Sequence, residues 1–239
     1  MLKAAFFDLF ETLITELDPG KQPRPSVADT LGIDEVSFRA EWDRRTEARM
    51  SGVIPDYPSV LRAICRALQH PVSEALIEDL HQKRLNDKAT PFASVGSDIA
   101  SALKEIRQNG LQIGVISNCS PEEVVAWDSC PLASLVDTAI FSCDVGCIKP
   151  QKEIYWLACA RLKVEPADCL FFGDGGSDEL MGAEEAGICP YWATWFLDRW
   201  PHMKRAHQLQ KRSQPYPRLS SLRDLEKAVR YAMALRDDS

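Results

Sequence analysis

An apolar run, Ala4-Ala5-Phe6-Phe7, stops abruptly on Asp8, and the same pattern recurs three times further along the chain. A carboxylate at the end of a buried strand is costly to place unless a charged group meets it. Leu111 to Ile116 runs into Ser117-Asn118. Thr138 to Phe141 precedes the loop that carries Lys149. Leu170-Phe171-Phe172 ends in Gly173-Asp174-Gly175-Gly176-Ser177-Asp178. Between these runs lie helical patterns: Ser97 to Gln108, closed by Asn109-Gly110; Pro121 to Trp127; Glu153 to Leu162; and Asp178 to Ala186, closed by Gly187. Tyr191 to Phe196 reads as a fifth strand and Leu219 to Ala234 as a final helix. Alternating strands and helices predict an α/β fold, a parallel sheet with helices on both faces.

The stretch between the first two strands has a different character. Turn formers dominate residues 14–33, and three helical patterns follow over Asp34 to Met50, Asp56 to Gln69 and Ser73 to Asn86. An all-helical block within a strand-rich chain predicts a small inserted domain at 14–90, leaving 1–13 and 91–239 as the core. The charged residues from Arg39 to Arg49 are expected to face water.

A net charge of −7 at pH 7 argues against a nucleic-acid surface, and the expectation is no nucleic-acid partner. Trp192, Trp195, Phe196 and Trp200, followed by Lys204, Arg205, Lys211 and Arg212, mix aromatic and basic residues, but Trp192 and Phe196 read as core. No apolar run approaches the roughly 20 residues that span a bilayer. With no secretory leader recognisable at Met1-Leu2-Lys3, a cytoplasmic location is expected. The eight cysteines then read as free thiols, mostly buried, and Cys143-x-x-x-Cys147 lacks the companions of a zinc site. Oligomeric state is not legible.

In open α/β sheets, ligands sit beyond the carboxyl ends of the strands. Asp8, Ser117, Lys149, Asp174 and Asp178 all fall there. Carboxylates with a lysine and a hydroxyl suit a divalent cation and a phosphate.

Four motifs in this order resemble the haloacid dehalogenase superfamily over essentially the whole chain. They are Phe6-Phe7-Asp8-Leu9-Phe10-Glu11-Thr12-Leu13, Val115-Ile116-Ser117-Asn118, Ile148-Lys149-Pro150 and Gly173 to Asp178. The resemblance implies a Rossmann-like core of strand order 5-4-1-2-3 with an α-helical cap inserted after the first motif. It implies Asp8 as the nucleophile that forms an aspartyl intermediate. It implies Mg²⁺ held by Asp8, Asp174 and the backbone carbonyl of Phe10, with Asp178 supporting the metal through its neighbours. Ser117, Asn118 and Lys149 would bind the transferring group.

The chain departs from this family's phosphatases at Phe10, where they carry a second Asp that protonates the leaving group and then activates water. Glu11, in place of the usual Gly, is expected to point elsewhere. The leading expectation is a Mg²⁺-dependent phosphatase of a small phosphorylated metabolite, slowed by Phe10. A 2-haloacid dehalogenase is the alternative, since halide needs no proton to leave, although dehalogenases usually replace the acidic fourth motif. A binding or regulatory protein without efficient turnover is a third reading.

Overall fold

The computed structural model describes residues 1–17, 24–199 and 215–237. Trp200 and the basic residues Lys204, Arg205, Lys211 and Arg212 lie outside the described residues.

Six parallel strands form one sheet in the order β3-β2-β1-β4-β5-β6: β1 (Ala4–Phe7), β2 (Gln112–Ser117), β3 (Thr138–Phe141), β4 (Cys169–Gly173), β5 (Cys189–Ala193) and β6 (Arg218–Leu219). From the opposite edge, the first five follow the expected 5-4-1-2-3. The sixth is an addition: two residues beside β5 are too short to carry any periodicity, and Leu219 belongs to this strand, not to the final helix.

Strand side chains alternate between the two faces, and the sequence makes both apolar. Ala5, Phe7, Ile113, Val115, Leu170 and Phe172 face one layer. There they meet Ile99, Leu103 and Ile106 of the helix Ser97–Gln108 and Leu225 and Val229 of the helix Leu222–Asp237. Ala4, Phe6, Ile116, Ile140 and Phe171 face the other, against Ile154, Tyr155 and Ala158 of Lys152–Leu162 and Leu180 and Ala183 of Glu179–Glu185. Phe6, Phe7, Phe171 and Phe172 are fully buried, each contributing about 1.5–3 kcal/mol by leaving water. Phe6 lies across Gly114 of β2, where a Cβ would come within 2.4 Å of its ring.

Among the described residues, the inserted block forms five helices: α1 (Val27–Leu31), α2 (Glu35–Arg44), α3 (Thr46–Met50), α4 (Tyr57–Ala67) and α5 (Glu74–Ala93). Its own apolar cluster joins Ala28, Leu31, Phe38, Tyr57, Leu61, Ile64, Ile77 and Leu80. The expected helix Asp34 to Met50 is interrupted at Arg45, which caps both α2 and α3. The last helix starts on Ser73, whose hydroxyl accepts from the Leu76 amide as expected, but it continues through Pro91 to Ala93. Phe92 in that last turn is buried in the main core, so one helix carries the chain from cap to sheet.

The end of α3 presses on the core at the short helix Ser142–Val145. A Cβ on Gly52 would fall 2.1 Å from the Cys143 carbonyl oxygen, and its φ of +73° already favours glycine. The Ser142 hydroxyl donates to the Met50 carbonyl of the cap at 2.5 Å.

Candidate active site

The carboxyl ends of β1, β2 and β4 and the loop after β3 converge beneath the cap. Asp8 follows β1 directly, and its amide still bonds the Phe172 carbonyl at 2.8 Å, so the strand pairing fixes where its side chain starts. Lys149 Nζ lies 2.5 Å from Asp8 Oδ1 and 2.5 Å from Glu179 Oε2, and the Thr12 hydroxyl donates to Asp8 Oδ2 at 3.3 Å. Asn118 holds the lysine's backbone at both ends. Its Oδ1 accepts from the Lys149 amide at 2.7 Å, and its Nδ2 donates to the Lys149 carbonyl at 2.9 Å. Ser117, the last residue of β2, is fully buried and its hydroxyl has no hydrogen-bond partner among the described residues. A buried hydroxyl in that state is costly, which suits a group that meets a ligand.

Asp8, Asp174 and Glu179 are all buried and offer carboxylate oxygens within 4.8 Å of one another. Asp174 follows β4; its Oδ1 accepts from the Gly176 amide at 2.7 Å, and its carbonyl accepts from the Trp192 indole at 3.0 Å. Glu179 opens its helix with Oε1 on the Gly175 amide at 2.9 Å. Gly173 must lack a side chain, because a Cβ there would fall 2.2 Å from Glu179 Oε1.

Burial pushes the Glu179 carboxyl well up, and the charges of Asp8 and Asp174 add to that, outweighing Lys149. Burial alone would lower Lys149, but Asp8 and Glu179 hold its pKa above the ordinary range and keep it charged. Three carboxylates around one lysine leave an excess of negative charge. That donor set fits a small divalent cation.

Asp178 is not part of this group. Ser177 and Asp178 both have left-handed backbones, φ 56° and 50°, which turn Asp178 out to solvent and bring Glu179 in. The sequence reading missed Glu179 by one position. The signal was available: Glu179 lies one turn before Ala183 and beside Leu180, on the helix face that packs against the sheet.

Phe10 is half-buried and packs edge-on against Phe92, ring centroids 6.3 Å apart. Glu11 has φ 60°, where a glycine would be unstrained. Its carboxylate accepts from the Thr15 hydroxyl at 2.7 Å and the Glu16 amide at 2.9 Å, which ties both oxygens to its own loop.

The cap meets the site through charge. Arg84 of α5 donates to Glu122 at 2.8 Å and Glu123 at 3.1 Å, and Lys88, one turn on, pairs with Glu123 at 2.9 Å and Glu16 at 2.6 Å. Glu122 and Glu123 belong to the short helix Pro121–Val124, just after Ser117-Asn118. Arg49, expected in water, is instead buried with its guanidinium 3.9 Å from the centre of the Trp42 ring. Trp42 and Arg49 stand on different helices, α2 and α3, so the break at Arg45 brings them together and periodicity along one helix could not show the stack.

A parallel sheet with an acidic cluster and a lysine at its strand ends, covered by an inserted helical cap, defines a hydrolase architecture. Residues 2–187 match the family described as haloacid dehalogenase-like hydrolase, and the chain belongs to that family. It is 33% identical over 195 residues to an (S)-2-haloacid dehalogenase of Pseudomonas fluorescens, covering 74% of this chain and 78% of that one. It is 32% identical over 132 residues to a phosphatase of Mycobacterium tuberculosis, covering 51% of this chain and 60% of that one. The chain spans 29% of a rat bifunctional epoxide hydrolase 2, to which it is 25% identical over 165 residues. A 2-haloacid dehalogenase from Pseudomonas syringae pv. tomato superposes with a TM-score of 0.63 at 19% identity, covering 97% of this chain and 99% of that one, a likeness of fold. Among the described residues, no helix is long and apolar enough to cross a membrane.

Proposed function

We propose that this hydrolase is a Mg²⁺-dependent phosphatase acting on a small phosphorylated metabolite. The observation that carries the reading is the buried set of Asp8, Asp174 and Glu179 around Lys149. Displacing halide from carbon creates no need for three carboxylates in one place, whereas an anionic nucleophile attacking an anionic phosphate requires concentrated positive charge.

Asp8 attacks phosphorus through a carboxylate oxygen, the ester oxygen departs, and an aspartyl-phosphate remains on Asp8. The Ser117 hydroxyl and Lys149 ammonium hold the phosphoryl oxygens, and Asn118 orients Lys149. Asp8, Asp174, the Phe10 carbonyl and Glu179, directly or through water, would hold Mg²⁺. When bound, the ion would offset negative charge at the nucleophile and the phosphate. Phe10 transfers no proton, so substrates whose leaving oxygen needs little protonation react best.

Hydrolysis of a 2-haloacid is a second reading, favoured by Phe10, since halide leaves without a proton, and by the 33% identity to the (S)-2-haloacid dehalogenase of Pseudomonas fluorescens. Phosphate release from a panel of esters, with Mg²⁺ and with a chelator, tests the proposal; halide release from 2-haloacids runs beside it. Metal-dependent phosphate release supports the phosphatase. Metal-independent halide release with inert esters overturns it.

A further inference from the structure

Two cysteines from adjacent strand ends meet beside the proposed phosphate site. Cys119 lies two residues after Ser117 and Cys143 two residues after Phe141, and Ser117 and Phe141 are paired neighbours in the sheet. Their sulfurs are 3.9 Å apart. Cys119 is fully buried, with its sulfur 3.7 Å from the Ser117 carbonyl oxygen, while Cys143 is only partly buried. The segment is shared with the cap: the Cys119 amide donates to the Ser142 hydroxyl at 3.0 Å, and that hydroxyl donates to Met50.

We propose that Cys119 and Cys143 form a redox-modification site, a reversible disulfide made by exchange with a low-molecular-weight disulfide, which holds the Ser117-Asn118 loop away from its working position. Cys143, the accessible thiol, attacks first as its thiolate and displaces one small thiolate. Cys119 then attacks the Cys143 sulfur and displaces the second small thiolate, its proton passing to that departing thiolate. Two protein thiols are oxidised and one small disulfide is reduced to two thiols. Burial pushes the Cys119 thiol well up, so it does not attack the small disulfide itself; its step depends on the Cys143 sulfur lying 3.9 Å away. Bond formation brings the sulfurs to about 2 Å. That shift draws on the Ser117 backbone, and a displacement of about 1 Å at a reacting centre costs on the order of 10²-fold in rate.

Cys159 and Cys169 also lie close in the core, but both are buried and so serve as an internal comparison.

The effect on turnover rests on the proposed phosphatase reading; the bond itself does not. The full chain is incubated with oxidised glutathione and mapped without reduction, and Mg²⁺-dependent phosphate release is followed in parallel. The expected result is a peptide pair joined through Cys119 and Cys143, absent from Cys143→Ser, with turnover lost in the wild type alone and restored by dithiothreitol. Absence of that linkage at every glutathione ratio overturns the site. Linkage with unchanged turnover overturns its control of catalysis. If the reduced wild type releases no phosphate, the function has failed, and the peptide map still decides whether the disulfide forms.

Discussion

Lys149 Nζ lies 2.5 Å from Asp8 Oδ1, although 141 residues separate them in the chain. The lysine stays charged in a buried place because Asp8 and Glu179 outweigh its loss of hydration. Asp8→Asn keeps the shape and a hydrogen-bond acceptor but removes the nucleophile. Phosphate release should fall by at least about 10³-fold while the circular dichroism spectrum is retained. Full turnover in a folded variant would exclude Asp8 as the attacking group.

Phe10→Asp restores an acid two residues after the nucleophile. Positioned acid–base groups supply about 10²–10⁴-fold, so kcat should rise at least about tenfold for esters with poor leaving groups. The edge-on pair with Phe92, worth about 0.5–1.5 kcal/mol, is lost, so the melting temperature should drop. A lowered melting temperature with unchanged kcat would mean another step limits the rate.

Glu179→Gln and Asp178→Asn separate the two candidates for the third carboxylate. Calorimetric titration should show Mg²⁺ affinity weakened about tenfold or more by the first and unchanged by the second. Equal effects would contradict the outward turn at Ser177 and Asp178.

Burial alone would raise Glu123, but Lys88 and Arg84 beside it hold its pKa at about 2, against 4.5 for a free glutamate. A carboxylate lowered by folding stabilises the native state fully above its unfolded pKa, and loses that contribution as pH falls through the folded value. Glu123→Gln should therefore be less stable by about 3 kcal/mol at pH 7, and the gap to wild type should close between about pH 5 and pH 2. Urea denaturation at several pH values measures it; a gap independent of pH would show that packing, not charge, is what Glu123 contributes.

Much of the core was legible because two periodicities alternate cleanly. Short apolar runs, such as Ala4–Phe7 and Leu111 to Ile116, read as strands because helical repeats and turn residues separate them. The placement of Asp8, Ser117 and Asp174 followed from the strands, since each lies at or directly after a carboxyl end, whereas Lys149 lies eight residues past β3 in the loop that follows it. Motif spacing alone named Asp178 and not Glu179: the left-handed backbones of Ser177 and Asp178 leave Asp178 exposed and Glu179 buried, and only the helix periodicity through Leu180 and Ala183 hinted at the second. The bridges from Arg84 and Lys88 to Glu122 and Glu123 join segments about 38 residues apart, a pairing that only the folded chain creates. The contact between Cys119 and Cys143 was hidden for the same reason: the visible spacing was Cys143 to Cys147, whereas the partner sits across the sheet.

The position of β1 at the centre of the sheet governs how the polypeptide can acquire its structure as it leaves the ribosome. Ala4 pairs with Gln112 on one side and Cys169 on the other, so the first strand made is flanked by strands made much later. Until the second partner emerges, one row of its amides and carbonyls stays open, beside the aromatic side chains of Phe6 and Phe7. The cap has no such wait. Its apolar cluster, from Ala28 to Leu80, lies within one contiguous stretch, and can condense while the nucleophile's strand is still incomplete.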